Sequence, residues 1–524
     1  MQKNINLNEE QYQSLCEACD SILTAQDSTI ERIAISWLHV IREHPVFMAH
    51  YIDLFQPNNG IIANVRKWWR VFRRRAGWVR QLLMSIQVGT RPWFGPDNLH
   101  GNIDVLFISH LLNPSHAGRD DDFYFGSLPN KITAQGYSAV IALINHSGQP
   151  AARFADKWDS RVVQRVVLSD ALSFLEEVSL YWRLKMESFR LRKLAKKEGQ
   201  GLKRRVFIRA SEETLSGKSL STLRMATQIA SLAVKVQPKV IVVMHEGHAW
   251  ERVSLAAVRS AVPEVRCIGY QHAALFRLQH AIRRNLSREY NPDHIFTAGT
   301  ISKTQLDRAP RLNGIPVSVL GSNRNLKNQA INQSGLIYPR AARADYPACL
   351  VIPEGYLTEY KILFTFALVC AGIAPQINFI FRVHPILSFD SIKKQDKKFQ
   401  DLPKNIRLSN VSLEDDFARC RWALYRGSTA AVQATLFGLR PIYLELPGEL
   451  TIDPLYELKD WRSVIKTPEE FLQVIKIYPY DKHKDLQEAY QKAHDYCARF
   501  YCSLNDAAFV KELAMFARKK GEHS

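Results

Sequence analysis

The chain has 524 residues, 46% hydrophobic and 23% charged, which is enough apolar material for substantial cores and excludes wholesale disorder. Its 70 Lys and Arg outnumber 51 Asp and Glu, and the formal charge of +19 points to a polyanionic partner: nucleic acid, an anionic membrane surface or a phosphorylated small molecule. At roughly 150 residues per domain, the length implies two to four domains.

The first 95 residues read as helical, with Ile22, Ile30, Ile33, Ala34, Trp37 and Ile41 at helical spacing. Their start, MQKNINLNEEQYQ, is polar and acidic, unlike a signal peptide. Cys16 and Cys19 form a C-x-x-C pair with no second pair at zinc-finger spacing, so two buried helical thiols are expected. The eight cysteines are scattered and do not resemble a secreted disulfide framework. RKWWRVFRRRAGWVR, Arg66 to Arg80, predicts a helix with Val65, Trp68, Trp69, Phe72, Ala76, Val79 and Leu83 on one face and arginines flanking it. Such a helix either lies in an anionic lipid interface or packs on the next domain with its basic face solvated.

From about residue 103 strands and helices alternate. IDVLFIS (Ile103 to Ser109) and YSAVIALIN (Tyr137 to Asn145) are predicted strands, followed by a long helix from about Val162 to Lys197. KVIVVM (Lys239 to Met244), a helix from about Trp250 to Ser260, VRCIGYQH (Val265 to His272), DHIFTAG (Asp293 to Gly299) and VSVLGS (Val317 to Ser322) follow. The polar run from Asn323 to Gly335 reads as a linker. A second series then comprises ACLVIPEG (Ala348 to Gly355), a helix from about Thr358 to Ala371, INFIFRVHP (Ile377 to Pro385), NIRLS (Asn405 to Ser409), WALYRGS (Trp422 to Ser428) and RPIYLEL (Arg440 to Leu446). The most apolar stretch, Ile362 to Ala374, stops at Pro375 and is too short to span a bilayer, so a soluble or peripheral cytoplasmic protein is expected.

Continuous apolar strands separated by helices predict parallel sheets covered on both faces, here an α/β chain with two doubly wound domains facing a cleft. The expected division is a helical basic region over 1–95, a first Rossmann-like domain over 96–325, a second over 336–480 and C-terminal helices over 481–524. Ligands of such sheets bind beyond the carboxyl ends of the strands.

Two features of the second series carry chemistry. One is FRVHP, in which Arg382, His384 and Pro385 end a predicted strand. The other is YRGSTAAVQATLFGLRPIYLE, where Gly427 permits a tight turn and Ser428 and Thr429 sit at a helix N-terminus suited to a phosphate. His384 is placed to donate a second hydrogen bond or a proton to the same phosphate.

HP followed by strand–GST–helix–GxxPI resembles the donor half of GT-B glycosyltransferases that use CMP-activated sugars, such as bacterial sialyltransferases and Kdo transferases. CDP-glycerol-dependent transferases share related features. VVMHEGHAWERV, IGYQHA, NPDHIFTAG and VSVLGSNR, in that order, resemble surface-carbohydrate biosynthesis proteins of the same superfamily. The resemblance covers roughly residues 100 to 450. It implies a GT-B fold and transfer of a sugar, a nonulosonic acid or Kdo among the candidates, from a CMP-sugar donor to a surface polysaccharide or glycolipid acceptor, with no metal and no separate cofactor. By this similarity His384 holds or protonates the donor phosphate, and Ser428 and Thr429, with Gly427 and Arg382 beside them, bind phosphate or carboxylate. An acid of the first domain, Glu246, is the general base. The sialyltransferase pattern has two acids before its glycine; here His245 replaces the first, which leaves His245 and Glu251 as alternatives, and Glu246 as a helix cap is a further one.

Gln271 and His272, after the VRCIGY strand, are expected to face the same cleft. Asp120, Asp121 and Asp122 read as a solvated turn rather than a metal site. SGKS (Ser216 to Ser219) is no P-loop, because position 212 is Glu rather than Gly. His44-Pro45 repeats the HP dipeptide in a helical region without a partner turn and is set aside. Polyol-phosphate transfer and nucleotide-sugar epimerisation are the alternative activities. A basic nucleic-acid-binding protein is the non-enzyme alternative, but no RNA or DNA module is recognisable. Arg66 to Arg80 holds seven basic and no acidic residues and Arg183 to Arg205 ten basic and two acidic, so most of the excess charge is local and outside the donor half. That distribution suits an anionic membrane or glycolipid better than nucleic acid.

Overall fold

The computed structural model describes residues 7–56, 61–88, 91–158, 162–324, 347–384, 387–477 and 484–521. Its first sheet contains β1 (Trp93–Phe94), β2 (Val105–Leu111), β3 (Ala139–Asn145), β4 (Gln164–Leu168), β5 (Val240–Met244), β6 (Arg266–Gln271), β7 (His294–Thr297) and β8 (Val317–Val319), in the order β1-β4-β3-β2-β5-β6-β7-β8. All pairings are parallel except β1 with β4. The second sheet, wholly parallel, contains β9 (Ala348–Ile352), β10 (Asn378–Phe381), β11 (Ile406–Leu408), β12 (Trp422–Tyr425), β13 (Arg440–Leu444) and β14 (Ser463–Ile465), in the order β11-β10-β9-β12-β13-β14.

The two Rossmann-like sheets expected from the apolar runs are present. β5, β9, β12 and β13 are buried at every position, which is why they read as unbroken apolar segments rather than alternating ones. Apart from the antiparallel edge strand β1, the parallel strands of each sheet start in the middle, wind to one edge and return: β5 lies beside β2, and β12 beside β9. The crevices beyond β2/β5 and β9/β12 are therefore the two topological switch points.

The helix expected from Val162 begins later. Residues 164–168 are β4, because QRVVL is β-branched and pairs with β3. The helix proper, Phe174–Lys197, starts at a capping box in which Ser173 and Glu176 satisfy each other's orphan donors. β1 and β14 are edge strands of two and three residues, too short to show a pattern in sequence.

The N-terminal segment packs on helices rather than on a sheet. Leu15, Ile22, Ile33 and Leu38 share a core with Leu184, Leu191, Val206 and Phe207, and Cys16 and Cys19 are buried free thiols in it. The chain's end ties both units together. Tyr490, Ala493 and Cys497 pack with Phe417, Tyr425 and Leu439 beside the second sheet, whereas Phe509 and Leu513 pack with Phe107, Phe125 and Phe296 beside the first.

The helix Ile61–Val88 is attached by Trp78, stacked on Tyr181 at 4.4 Å between ring centroids, and by Gln81, which donates to the Asp170 carbonyl at 2.9 Å. Its apolar face is turned outward: Trp68 is 78% exposed, and Trp69, Phe72, Val79 and Leu83 are exposed with it. Leu175, Trp182, Met186 and Phe189 on the helix Phe174–Lys197 are also exposed. Among the described residues, no helix is long and apolar enough to cross a membrane.

Candidate functional site

At the first switch point, β5 runs into the turn His245-Glu246-Gly247-His248 before the helix Ala249–Ala261. Gly247 has φ +86°, and a Cβ there would lie 2.6 Å from the Ile282 amide nitrogen, so the turn requires glycine. The Glu251 carboxylate accepts from the amides of Glu246 (3.0 Å), Gly247 (2.8 Å) and His248 (3.1 Å) and is buried beneath the turn. Glu251 therefore serves the backbone as an N-terminal anion of the helix rather than as the alternative base. His245 is likewise buried: Nδ1 lies 3.1 Å from Glu251 Oε2, and the ring abuts Gly269, where a Cβ would come within 2.9 Å of it. His245 thus supports the turn from below.

Glu246 is the acid that faces the cleft. Its carboxylate lies 3.4 Å from His248 Nε2, while the His248 ring accepts from the Glu251 amide and caps the helix. Burial works to raise the Glu246 pKa, but His248, His272 and Arg42 together hold it well below the usual carboxylate range, so it is ionised at neutral pH. Glu246 is not the helix cap, since Glu251 accepts from the turn amides.

Gln271 is buried, and its amide donates to the Ala273 carbonyl, so it shapes the loop after β6 instead of lining the cleft as expected. His272 does reach the neighbourhood of Glu246. Burial pushes its pKa down to about 4, against the pull of Glu246, and leaves it neutral. Tyr124 meets His272 edge-on at 4.7 Å, and His110 lies against Tyr124 and Trp250 with its Nδ1 3.1 Å from His146 Nε2. His272 was expected here, but sequence reasoning missed Tyr124, His110, His146 and Trp250. The signal was a histidine at the carboxyl ends of β2, β3 and β6, at 110, 146 and 272. Asp122, by contrast, accepts from Ser109 and from the Tyr124 and Phe125 amides at 2.8–2.9 Å and is a turn residue, buried rather than solvated.

At the second switch point β9 leads to Glu354 and β12 to Gly427, Ser428 and Thr429. Neighbouring strands put the two segments in contact: a Cβ on Gly427 would lie 2.6 Å from the Glu354 carboxylate. Ser428 is buried, and Thr429 precedes the helix Ala430–Leu436 without a side-chain capping bond. His384, after β10, has its amide bonded to the Tyr360 hydroxyl. Desolvation lowers its pKa and Glu354 opposes the shift, so the ring is electrostatically coupled to the same carboxylate. Pro385 lies outside the described residues.

Arg382 does not join this group. Its Nη1 donates to Asp416 Oδ2 at 2.5 Å, Ser409 Oγ at 3.1 Å and the Val411 carbonyl at 3.0 Å. Asp416 is fully buried, so the guanidinium is committed to neutralising it, and donor binding by Arg382 is corrected to a structural role.

The third side of the cleft comes from the N-terminal segment, where His44 had been set aside. His44 is fully buried, with Nε2 2.6 Å from Glu354 Oε2 and 3.9 Å from Glu359 Oε1. Arg42 donates to the Tyr356 hydroxyl at 3.1 Å, and its guanidinium lies 5.1 Å from the Phe276 ring centroid and 5.3 Å from that of Phe47. Burial would lower its pKa, but Glu354 and Glu246 raise it, so Arg42 stands electrostatically between the acid of the first sheet and that of the second. No motif spacing announces this, because about 200 residues separate Arg42 from Glu246 and about 310 from Glu354.

Neither a family model nor a curated protein sequence matches the chain. Among solved structures, the chain is similar to the glycotransferase of kitacinnamycin, with 10% identity and a TM-score of 0.46 over 79% of this chain and 100% of that one. It is also similar to an α,α-trehalose 6-phosphate synthase from Burkholderia multivorans, with 11% identity and a TM-score of 0.46 over 81% and 98%. A third is a UDP-GlcNAc 2-epimerase from Methanocaldococcus jannaschii in complex with UDP-GlcNAc and UDP, with 13% identity and a TM-score of 0.40 over 75% and 100%. What this chain does is read from its own cleft.

Proposed function

We propose that the chain is a glycosyltransferase that moves a sugar, a nonulosonic acid or Kdo among the candidates, from a CMP-activated donor to a surface polysaccharide or glycolipid acceptor. The observation that carries this reading is that one half-buried cation, Arg42, is electrostatically coupled both to the ionised Glu246 beyond β5 and to Glu354, which lies against the Gly-Ser-Thr turn beyond β12. Glu246 takes the proton of the acceptor hydroxyl. The freed oxygen forms its bond to the anomeric carbon as the bond from that carbon to the donor phosphate breaks, and the electron pair leaves with the CMP phosphate. Gly427, Ser428, Thr429 and His384 hold that phosphate, and cationic side chains meet its developing charge without a metal. Tyr124, His272, His110 and Trp250 supply the flat and hydrogen-bonding surfaces suited to a glycan acceptor.

The proposed workplace is the cytoplasmic face of a membrane. Support comes from the outward apolar face of the helix Ile61–Val88 within the most basic part of the chain, a pattern that fits an anionic lipid surface. The donor reading is tested by thermal stabilisation with saturating CMP, CDP, UDP and GDP. CMP should raise the unfolding temperature most, and absence of any response to CMP and CDP defeats the cytidine donor.

A further inference from the structure

We propose that Arg42 and His44, carried by the N-terminal helical segment, form the anion site for the donor's phosphate, and that in the unliganded chain this site is filled by the carboxylate of Glu354. The inference rests on the donor reading above for the identity of the anion.

Ligands of doubly wound sheets bind at a switch point, which in the second sheet is the crevice beyond β9 and β12. In this molecule that crevice is taken by a side chain. The Glu354 carboxylate lies over Gly427, so close that a Cβ would collide with it at 2.6 Å. It touches His44 Nε2 at 2.6 Å, and the charges of Arg42 and Arg426 act on it. Burial works to raise its pKa, yet these partners hold it below the usual carboxylate range, so the crevice contains a bound oxyanion. An oxyanion against a glycine Cα, with an imidazole and a guanidinium around it, is the environment a phosphate requires.

The cations differ in how far they are already spent. Arg426 is paired with Glu359 and Glu449, and both pairs are buried. Among the described residues Arg42 has no carboxylate within hydrogen-bonding range: it donates to the Tyr356 hydroxyl, and the acids acting on it are Glu354 and Glu246. If Glu354 swings off Gly427, Arg42 and His44 face the vacated crevice. A phosphate entering there takes over the charge of Arg42 and the hydrogen-bonding nitrogen of His44, and Arg42 then lies between the leaving phosphate and the ionised Glu246. The N-terminal segment thus belongs to the donor site rather than being an appendage to it.

The test uses the full chain and calorimetric titration with three probes: CMP, cytidine and inorganic pyrophosphate. Glu354→Gln, which keeps the side chain's volume but removes its charge, should bind CMP about five- to tenfold more tightly than wild type, with cytidine changed less than twofold. Arg42→Met and His44→Gln should each weaken CMP at least tenfold, again sparing cytidine. CMP affinity unchanged in Glu354→Gln overturns the proposal, as does equal loss of CMP and cytidine in Arg42→Met. Pyrophosphate separates the two levels. If no nucleotide binds but Glu354→Gln gains pyrophosphate affinity that His44→Gln abolishes, the anion site stands and the cytidine donor falls. If Glu354→Gln binds neither CMP nor pyrophosphate, the anion site falls. Circular dichroism melts of each variant confirm the folded state used.

Discussion

His44 Nε2 lies 2.6 Å from Glu354 Oε2, joining the N-terminal helical segment to the crevice between β9 and β12. Both side chains are withdrawn from solvent, so the contact operates at low dielectric, and either group left alone would be an unmatched buried polar atom. The segment is therefore coupled energetically to the second sheet as well as to the helices it packs on.

Glu246→Gln should lower turnover by a factor of 10² or more while donor binding stays within about twofold, because the amide keeps the shape but cannot take a proton. Steady-state transfer rates combined with nucleotide titration check this. Equal loss of turnover and donor affinity would assign Glu246 to binding instead.

Arg382→Gln should destabilise the fold by about 3 kcal/mol, since it leaves the fully buried Asp416 with less compensation. CMP affinity, measured well below the melting temperature, should stay within about twofold. A tenfold loss of affinity with an unchanged melt would return Arg382 to the donor site.

Glu43 makes stability depend on pH. Its carboxylate is fully buried, accepts from the Leu278 amide at 2.6 Å, and burial pushes its pKa up from 4.5 to about 7. A carboxyl whose folded pKa is raised contributes stability that is complete below the unfolded value near 4.5 and is lost as pH rises through about 7. The difference amounts to up to ~3 kcal/mol between pH 4.5 and pH 8. Denaturant melts across that range should show wild type losing stability relative to Glu43→Gln, and parallel curves would refute the assignment.

Gly247→Ala should cost about 1–3 kcal/mol and depress turnover as well, because a Cβ at φ +86° strains the backbone and meets the Ile282 amide. Urea titration measures the first effect and transfer assays the second. A variant as stable as wild type would show that the turn can yield.

Replacing Trp68, Trp69 and Phe72 together with Ser should abolish flotation with vesicles containing anionic phospholipid at low salt, without changing the melting temperature, since all three are exposed. Undiminished flotation would exclude this face as the lipid contact.

The sequence by itself determined the two sheets and their order along the chain, because strands buried on both faces must be apolar at every position, as VIVVM of β5 and WALY of β12 are. It also located Glu246 and Gly427 to Thr429 at strand ends, where backbone direction alone aims the following residues at a crevice. Tertiary structure decided which charged groups face that crevice. Glu251, in the first turn of the helix after β5, and Arg382, directly after β10, are as well placed in sequence, but each is claimed by a buried partner, three amides in one case and Asp416 in the other. His44 and Arg42 lie some 300 residues from Glu354 in a segment with no strand pattern, and only the folding of that segment across the cleft brings them to it. Local pattern reports what a residue's neighbours in sequence require, whereas a buried charge is placed by neighbours in space.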